Sequence, residues 1–286
     1  MRIRILAAAL LCGAALGVSG NKAVATPLDD MISPVTHPVV FEDPRHSTEL
    51  KPLYVYHKLD DKFVTGGGDA TIWALQARFK VSDDLSIIAV KDGFVDLNPD
   101  GVVPQDTGFA NITGGAKYSF FRSEDSILTG GLTYEIPSGQ KKVLQGHGDG
   151  LFNPFFSYGT TSCNWNFIVG TGLRLPLDND DSSFYDLNMH VSYKMENFYP
   201  LVEFGMVTVL NGGTRLPIAD EGEDYFNLGS SESDHETITT MAIGARYRIA
   251  DNIDAGAAWQ FPLERSTGTR IIDYRVTADL IYRFEL

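Results

Sequence analysis

The last stretch of the chain, RIIDYRVTADLIYRFEL (270–286), decides its fold class. Alternate positions carry apolar side chains: Ile272, Tyr274, Val276, Ala278, Leu280, Tyr282, Phe284 and Leu286. The positions between them are mostly polar or charged: Asp273, Arg275, Thr277, Asp279, Arg283 and Glu285. A period of two residues predicts a β-strand, because successive side chains of a strand point to opposite faces. This strand therefore lies between two different environments, one apolar and one polar.

The same alternation recurs in three earlier stretches, 71–81, 184–195 and 253–263. Many of the predicted strands run to ten residues or more, whereas strands of soluble proteins average about five or six. Transmembrane strands need roughly 9–11 residues, with apolar side chains toward lipid and aromatic residues at the ends. The pattern favours a membrane barrel over its main structural rival, a soluble periplasmic sandwich.

Short and long connections alternate along the chain. Short turns fall near 82–84, 122–125, 161–164, 196–197 and 250–252, and longer polar loops near 59–68, 95–108, 138–150, 178–183, 212–236 and 264–269. We predict an all-β, antiparallel, up-and-down transmembrane β-barrel of about 12 strands over residues 51–286. Both chain ends then lie with the short turns on the periplasmic side. The strand at 85–94 fits least well, since it has no clear polar face.

Composition excludes several classes of function. The 286 residues include 23 Lys and Arg against 37 Asp and Glu, a formal net charge of −14. This acidic balance argues against a nucleic-acid partner, which requires a basic surface. The two cysteines provide neither a disulfide scaffold nor a Cys-based zinc site. We expect no cofactor.

The N-terminal region divides into two parts. Residues 1–25 have two early arginines, an apolar run and a small-residue Ala23-Val24-Ala25 ending, which predicts a secretory signal peptide. Residues 26–50 contain four prolines and no strand pattern, so they form either a periplasmic tail or a plug inside the barrel. No later stretch is apolar enough for a transmembrane helix. We expect the protein in the outer membrane, in contact with membrane lipid, lipopolysaccharide and the barrel-assembly machinery.

A narrower resemblance lies in residues 126–177. The runs GGLTYEIPSGQ (130–140), GHGDGLFNPFFSYG (146–159) and GTGLRLPLD (170–178) resemble the outer-membrane transporters grouped as the MetA-pathway phenol-degradation family. Members commonly have a strand that ends in Pro-(Ser/Thr)-Gly, then a Gly-rich loop and a further strand. The resemblance implies transport of small, hydrophobic or aromatic molecules, and it assigns no binding residue.

The polar faces of the strands supply the candidate site. Two interpretations remain open: these side chains set the selectivity of a pore, or they form salt bridges that fill and close a narrow barrel. The predicted lumen-lining residues are Arg78, Lys80, Lys117, Glu135, Arg174, Asp186, His190, Lys194, Glu203, Arg246, Arg248, Asp254, Asp273, Arg275, Asp279 and Arg283.

Two further features concern cations. Asp96, Asn98 and Asp100 match the start of a calcium loop, although the position of the usual bidentate Glu holds Thr107. The alternative is an ordinary Asx-rich turn. The loop at 212–236 is strongly acidic, which suggests a gate or a cation-recruiting mouth, or else a solvated outer loop. Its acidic residues are Asp220, Glu221, Glu223, Asp224, Glu232, Asp234 and Glu236.

An enzyme is disfavoured. Some twelve-stranded outer-membrane barrels are lipases, but here only His190-Val191-Ser192 and His235 approach their motif, and the first points inward, away from lipid. We therefore predict a channel or transporter for small molecules and no enzyme. The alternative is a closed barrel with a structural or surface-interaction role through its acidic outer loops.

Overall fold

The computed structural model describes residues 26–101, 103–264 and 271–285, so the predicted signal peptide lies outside the described residues. Fourteen strands and two single-turn 3₁₀ helices, Pro27–Asp30 and Lys141–Val143, occur in these ranges. The strands are β1 Glu49–Leu59, β2 Gly68–Lys80, β3 Leu85–Lys91, β4 Phe94–Pro99, β5 Asp106–Phe109, β6 Ile112–Arg122, β7 Ser126–Ile136, β8 Leu151–Ser162, β9 Trp165–Pro176, β10 Ser183–Tyr193, β11 Phe198–Asn211, β12 Thr237–Ala250, β13 Ile253–Pro262 and β14 Ile272–Arg283.

Twelve of these strands close into an antiparallel barrel, which confirms the predicted fold class. Each barrel strand pairs with its neighbours in the chain, and β1 pairs with both β2 and β14. Tyr54 of β1, for example, lies opposite Ala278 on one side and Trp73 on the other. Because the ring closes, its strands have no free edge at which unpaired backbone groups would face lipid.

The remaining two strands, β4 and β5, form a hairpin that branches from β2 and is not one of the twelve strands of the closed ring. β4 pairs with the outer half of β2, and β5 pairs with β4. The prediction of a polar loop over residues 95–108 is therefore wrong where β4 and β5 form. The hairpin forms because Val95 and Leu97 alternate with polar residues and cover the apolar interior of the outer end.

The outer surface of the barrel is a band of exposed apolar side chains. Leu75, Ile87, Leu132, Val202 and Ile243 each expose nearly half of their surface or more. Aromatic pairs flank this band, with ring centroids 4.9 Å apart in Trp165–Tyr193 and in Tyr134–Phe152. Such a band with aromatic edges is typical of the lipid-facing surface of a membrane-spanning β-barrel. No helix among the described residues is long and apolar enough to cross a membrane.

Candidate functional site

The candidate site is the lumen of the barrel. Ten of the sixteen predicted lumen residues are buried within it, namely Arg78, Lys117, Arg174, Asp186, His190, Glu203, Arg246, Asp254, Arg275 and Asp279. Glu135, Lys194, Arg248, Asp273 and Arg283 are partly buried, and Lys80 is exposed at the periplasmic rim, where it pairs with Asp83 of the first turn. Since even long charged side chains are buried, something other than water surrounds most of them.

The N-terminal segment (residues 26–48) occupies the periplasmic half of the lumen. Every residue from 31 to 44 is buried. Leu28, Met31 and Phe41 pack against Ile127 and Ile168 of the wall. Further along, Ile32 and Val35 pack against a second wall patch that includes Tyr199 and Leu201. Apolar contacts of this kind hold the segment because they remove its side chains from water.

Charged wall residues bind the backbone of the N-terminal segment. Glu203 accepts hydrogen bonds from the amides of Val35 (2.9 Å) and Thr36 (2.7 Å). Arg246 donates to the carbonyl oxygens of Ser33 (3.1 Å) and Pro34 (3.3 Å). Gln76, Thr129 and Ser157 donate in the same way to the carbonyls of Pro38, Pro44 and Glu42. The polar wall therefore provides hydrogen-bond partners for a segment whose one regular element is the 3₁₀ helix Pro27–Asp30.

Glycines of the wall make room for the side chains of this segment. A Cβ added at Gly170 would lie 2.8 Å from Phe41 Cδ2, and one at Gly159 would lie 2.8 Å from Pro44 Cγ. A Cβ at Gly205 would collide with the ring of His37. Three different strands thus lack a side chain where the segment needs space. The wall and the segment are shaped to each other.

A salt-bridge network joins the segment to β2 and β6. Arg78 donates to both carboxylate oxygens of Glu42, from Nε at 2.8 Å and from Nη2 at 2.6 Å. Lys117 Nζ donates to the same Glu42 carboxylate at 2.9 Å. Burial alone would raise the pKa of Glu42, but the two cations lower it to about 2. Glu42 is therefore a fully ionised anchor at neutral pH.

The outer loop (residues 212–236) folds into the opposite end of the lumen. Glu221, Glu223 and Asp224 are buried, so the expectation of a wholly solvated loop was wrong for these residues. Arg275 binds Glu223 Oε2 at 2.9 Å and Asp224 Oδ1 at 2.8 Å. Arg174 donates to the Glu223 carbonyl at 2.5 Å. Arg275 thus neutralises two buried carboxylates of the loop, and Arg174 holds its backbone.

Two carboxylates share one arginine at this end. Burial raises the pKa of Glu223, whereas at Asp224 the charge of Arg275 overcomes burial and lowers the pKa to about 2. Glu221 is held differently, since it accepts hydrogen bonds from the Ser182 hydroxyl and from the amides of Leu228 and Ser230. At the outer end one cation therefore serves two carboxylates, whereas at the periplasmic end two cations serve Glu42.

The two inserted parts of the chain meet in the centre. Val39 and Val40 of the N-terminal segment belong to the same apolar cluster as Tyr225, Phe226 and Leu228 of the outer loop. Above this cluster, a cavity lined by Lys91, Glu135 and Arg174, among others, leaves only about 20 Å³ of free space. That volume suits about one water molecule. In this structure the lumen is closed from both ends.

An apolar pocket of about 570 Å³ lies on the lipid-facing side of the wall, where β3 gives way to β4. On this side β2 pairs with β4 through Gly68–Trp73 and with β3 through Ala77–Lys80. Residues 74–76 lie between these two paired stretches. Here Asp92 Oδ1 accepts from the Leu75 amide (2.8 Å), and the Gln76 side chain donates to the Val90 carbonyl. The pocket lining includes Trp73, Phe94, Phe109 and Ile112.

The calcium candidates lie elsewhere. Asp96 and Asn98 are two residues apart on β4, a spacing of about 7 Å along an extended strand. Within the described ranges, no group of three or more His, Cys, Asp or Glu side chains is placed to hold a metal ion. Calcium binding by Asp96, Asn98 and Asp100 stays a prediction.

The structure also brings together the one His-x-Ser pair that faces the lumen. His190 contacts Ser192 Oγ through Nε2 (3.0 Å) and Glu203 Oε1 through Nδ1 (2.7 Å). All three residues are buried, and Glu203 is the group that binds Val35 and Thr36. This chain of hydrogen bonds orients a carboxylate toward the N-terminal segment. His235 lies apart in the outer loop.

Several charged residues that lie in the lumen were not predicted from the sequence. They are Glu42, Asp43, Arg45 and His46 of the N-terminal segment, and Lys51 and His57 of β1. His46 contacts the hydroxyls of Ser86 (2.8 Å) and Ser119 (2.7 Å), and burial lowers its pKa to about 4. Residues 42–46 read Glu-Asp-Pro-Arg-His, a composition that is equally typical of a free tail, so the sequence held no clear signal for these residues.

Known structures share this architecture. An outer-membrane channel from Pseudomonas putida F1 matches with 13% identity over 89% of this chain and 100% of that chain, at a TM-score of 0.60. The NanC porin matches at 9% identity over 84% and 100%, with a TM-score of 0.52. The translocator domain of autotransporter NalP from Neisseria meningitidis matches at 11% identity over 85% and 90%, with a TM-score of 0.51.

Sequence comparisons add no family. No family model matches the chain, and no curated protein sequence matches it. At such low identities the similar structures show the fold alone. Together with the closed ring of twelve strands and the apolar outer band, they establish that this protein is a β-barrel of the outer membrane.

Proposed function

We propose that this protein is a channel that carries small molecules across the outer membrane, and that the structure represents its closed state. The observation that carries the proposal is how the lumen is filled. Inserted chain segments, rather than side chains of the wall alone, occupy it from both ends. A segment without strand pairing can leave without opening any ladder of the barrel, so the fold is compatible with a conducting state.

The apolar pocket in the wall supports hydrophobic or aromatic substrates. It opens toward lipid, and Ala74 and Ala110 separate it from the central apolar cluster. A solute with an aromatic body would find apolar contacts on both sides of this thin part of the wall. The resemblance of residues 126–177 to phenol-degradation transporters agrees with this substrate class, and membership of that family remains a proposal.

A second candidate function is a permanently closed barrel that acts through its outer surface. The tight fit of the N-terminal segment to Gly159, Gly170 and Gly205 favours it, because a shaped seat also serves a permanent filling. Neither candidate requires catalysis or a cofactor. Contact with the barrel-assembly machinery follows from the fold class and is likewise proposed.

Single-channel current in a planar bilayer separates the two functions. Refolded full-length protein should give rare conductance steps, and a variant without residues 27–45 should give large and steady ones. The folded state of both proteins is checked by their shift on an SDS gel after boiling. Silence from a folded variant that lacks the segment would contradict the channel and favour the closed barrel.

A further inference from the structure

Most cations of the lumen wall are neutralised by carboxylates of the wall itself. Such pairs keep their charges balanced whether or not anything else enters the lumen. They are Arg174 with Asp186, Lys91 with Glu135, and Lys51 and Arg246 with Asp279, at N–O distances of 2.6–3.2 Å.

Two cationic sites of the wall are different, because carboxylates on the inserted segments neutralise them. In the periplasmic half, Arg78 and Lys117 bind Glu42 of the N-terminal segment. In the outer half, Arg275 binds Glu223 and Asp224 of the outer loop. The nearest wall carboxylate to Arg78 is Glu49, at 3.6 Å, and it also serves Arg283. Withdrawal of the segments would leave a positive site in each half of the lumen.

The site made by Arg78 and Lys117 has the geometry of carboxylate recognition. The guanidinium group meets both oxygens of Glu42 side-on, and the ammonium group adds a third hydrogen bond. Paired hydrogen bonds of this kind match a planar carboxylate in both distance and direction. Arg78 and Lys117 are both buried, so their charges act with little screening by water.

An apolar patch lies beside these two cations. Ile88 is opposite Arg78 in the β2–β3 ladder, and it packs with Val90 and Phe155. Phe155 in turn is opposite Gly131, the ladder partner of Lys117. A ligand held here by its carboxylate would place its other atoms against an aliphatic and aromatic surface.

We propose that Arg78 and Lys117 form the binding site for the carboxylate of a small organic acid, and that Glu42 occupies this site as an internal mimic in the closed state. This inference rests on the proposed channel function and names its substrate class. A bound acid would replace Glu42 and so compensate the two buried cations, which are costly when unpaired. Arg275 would offer the next cationic site along the lumen.

A rescue experiment tests the binding site without any need for conductance. Glu42→Ala removes the mimic and should lower the melting temperature of the refolded barrel. Benzoate or acetate should restore it in a saturable way, whereas benzyl alcohol and acetamide should not. Asp43→Ala is the matched control, since the side-chain carboxylate of Asp43 is buried and bonds Arg45 and Ser33 of the same segment. The Asp43 carbonyl, which accepts from Lys117, is retained in this variant.

The inference fails if benzoate stabilises the wild type, Glu42→Ala and Asp43→Ala proteins equally, or if none of them responds. A third variant, Glu42→Ala with Lys117→Met, identifies the site. It should bind benzoate at least several-fold more weakly than Glu42→Ala alone. Equal binding by the two variants would place the acid elsewhere and overturn the assignment.

Bilayer recordings then separate this inference from the function on which it rests. Glu42→Gln should shift the permeability ratio several-fold toward anions, and Asp43→Asn should not, although both variants lose one negative charge. Conductance with the same selectivity in both variants would overturn the proposal of an organic-acid substrate but would support the channel function. Silence from every variant, including the one that lacks residues 27–45, would overturn the channel, and the rescue experiment would still decide the binding site.

Discussion

The N-terminal segment (residues 26–48) fills the periplasmic end of the lumen and is called the inner closure; the outer loop (residues 212–236) fills the opposite end and is called the outer closure. The two differ in how their buried polar atoms are bonded. At the inner closure, both oxygens of the Glu42 carboxylate accept hydrogen bonds from Arg78. The buried polar atoms without a hydrogen-bond partner there include His37 Nδ1 on the segment, and Arg78 Nη1 and Gln260 Oε1 on the wall residues that contact it.

At the outer closure the buried polar atoms without a partner include oxygens of the carboxylates themselves, Glu223 Oε1 and Asp224 Oδ2, together with His57 Nε2 and Arg275 Nε on the wall. Buried polar atoms without hydrogen bonds cost free energy. The carboxylates of the outer closure are thus less completely hydrogen-bonded than Glu42, and we predict that the outer closure opens first.

The largest expected effect is on the outer closure. Arg275→Ala leaves Glu223 and Asp224 buried without their cation, which should destabilise the inward position of the loop by about 3–5 kcal/mol. Limited proteolysis of the folded barrel should then cut within residues 212–236 while the N-terminal segment stays protected. Equal protection of the loop in wild type and variant would show that this closure does not depend on the arginine. The triple variant that also carries Glu223→Gln and Asp224→Asn should regain part of the protection.

Acid should act on the inner closure. The pKa of Glu42 is about 2 in the folded protein and 4.5 ordinarily, so its stabilising contribution is complete above pH 4.5 and is lost as the pH falls toward 2. A shift of this size corresponds to roughly 3 kcal/mol. Hydrogen exchange of residues 27–48, corrected for intrinsic rates, should rise through this window. The same profile in Glu42→Gln would assign the effect to another group. In the outer loop the opposite pKa shifts of Glu223 and Asp224 should partly cancel.

A smaller effect is expected from filling the space of a wall glycine. Gly205→Val collides with the His37 ring and should destabilise the seated segment by about 1–3 kcal/mol. The measurement is protease cleavage within residues 26–48, at constant stability of the barrel in the gel-shift assay. Ala257→Val, on the lipid-facing side of β13, is the control and should leave the segment protected. Identical cleavage in both variants would show that the fit between wall and segment does not protect residues 26–48 from the protease.

The smallest effect should come from the periplasmic rim. Lys194 pairs with Asp30 at 2.6 Å, but both side chains are substantially exposed to water. Exposed ion pairs contribute roughly 0–1 kcal/mol. Lys194→Ala should therefore change protease protection of the N-terminal segment only slightly, and by less than Gly205→Val does. A loss of protection as large as that of the glycine variant would show that the exposed ion pair at the rim, rather than the buried contacts, holds the segment.

The sequence predicted the strands of the barrel wall but not the segments that fill the lumen. Alternation and turn spacing predicted twelve barrel strands, because lipid imposes a period of two on every strand that it touches. No such periodicity marks residues 31–44 or 221–228, which are buried by contacts with many different strands. The β4–β5 hairpin was missed for a related reason, since its strands of six and four residues are too short to show a period among polar neighbours.

Some lumen-facing positions of the wall were also not predictable from alternation alone. On β1 the inward positions include Leu53 and Val55, and the outward ones include Tyr54 and Lys58. Alternation separates the two faces of such a strand, but the lumen is apolar wherever an apolar segment fills it. Only the placement of Val39, Val40 and Phe226 explains why these lumen positions are aliphatic.

The continuity between the N-terminal segment and β1 has a consequence for the assembly of the barrel. β1 is the strand that completes the ring by pairing with β14, and the segment ends where β1 begins. Arg246 of β12 and Asp279 of β14 form the salt bridge that faces Ser33 and Pro34. Because the segment is covalently continuous with the strand that closes the ring, we expect the lumen to be filled as the ring closes, so that membrane insertion does not leave an open pore.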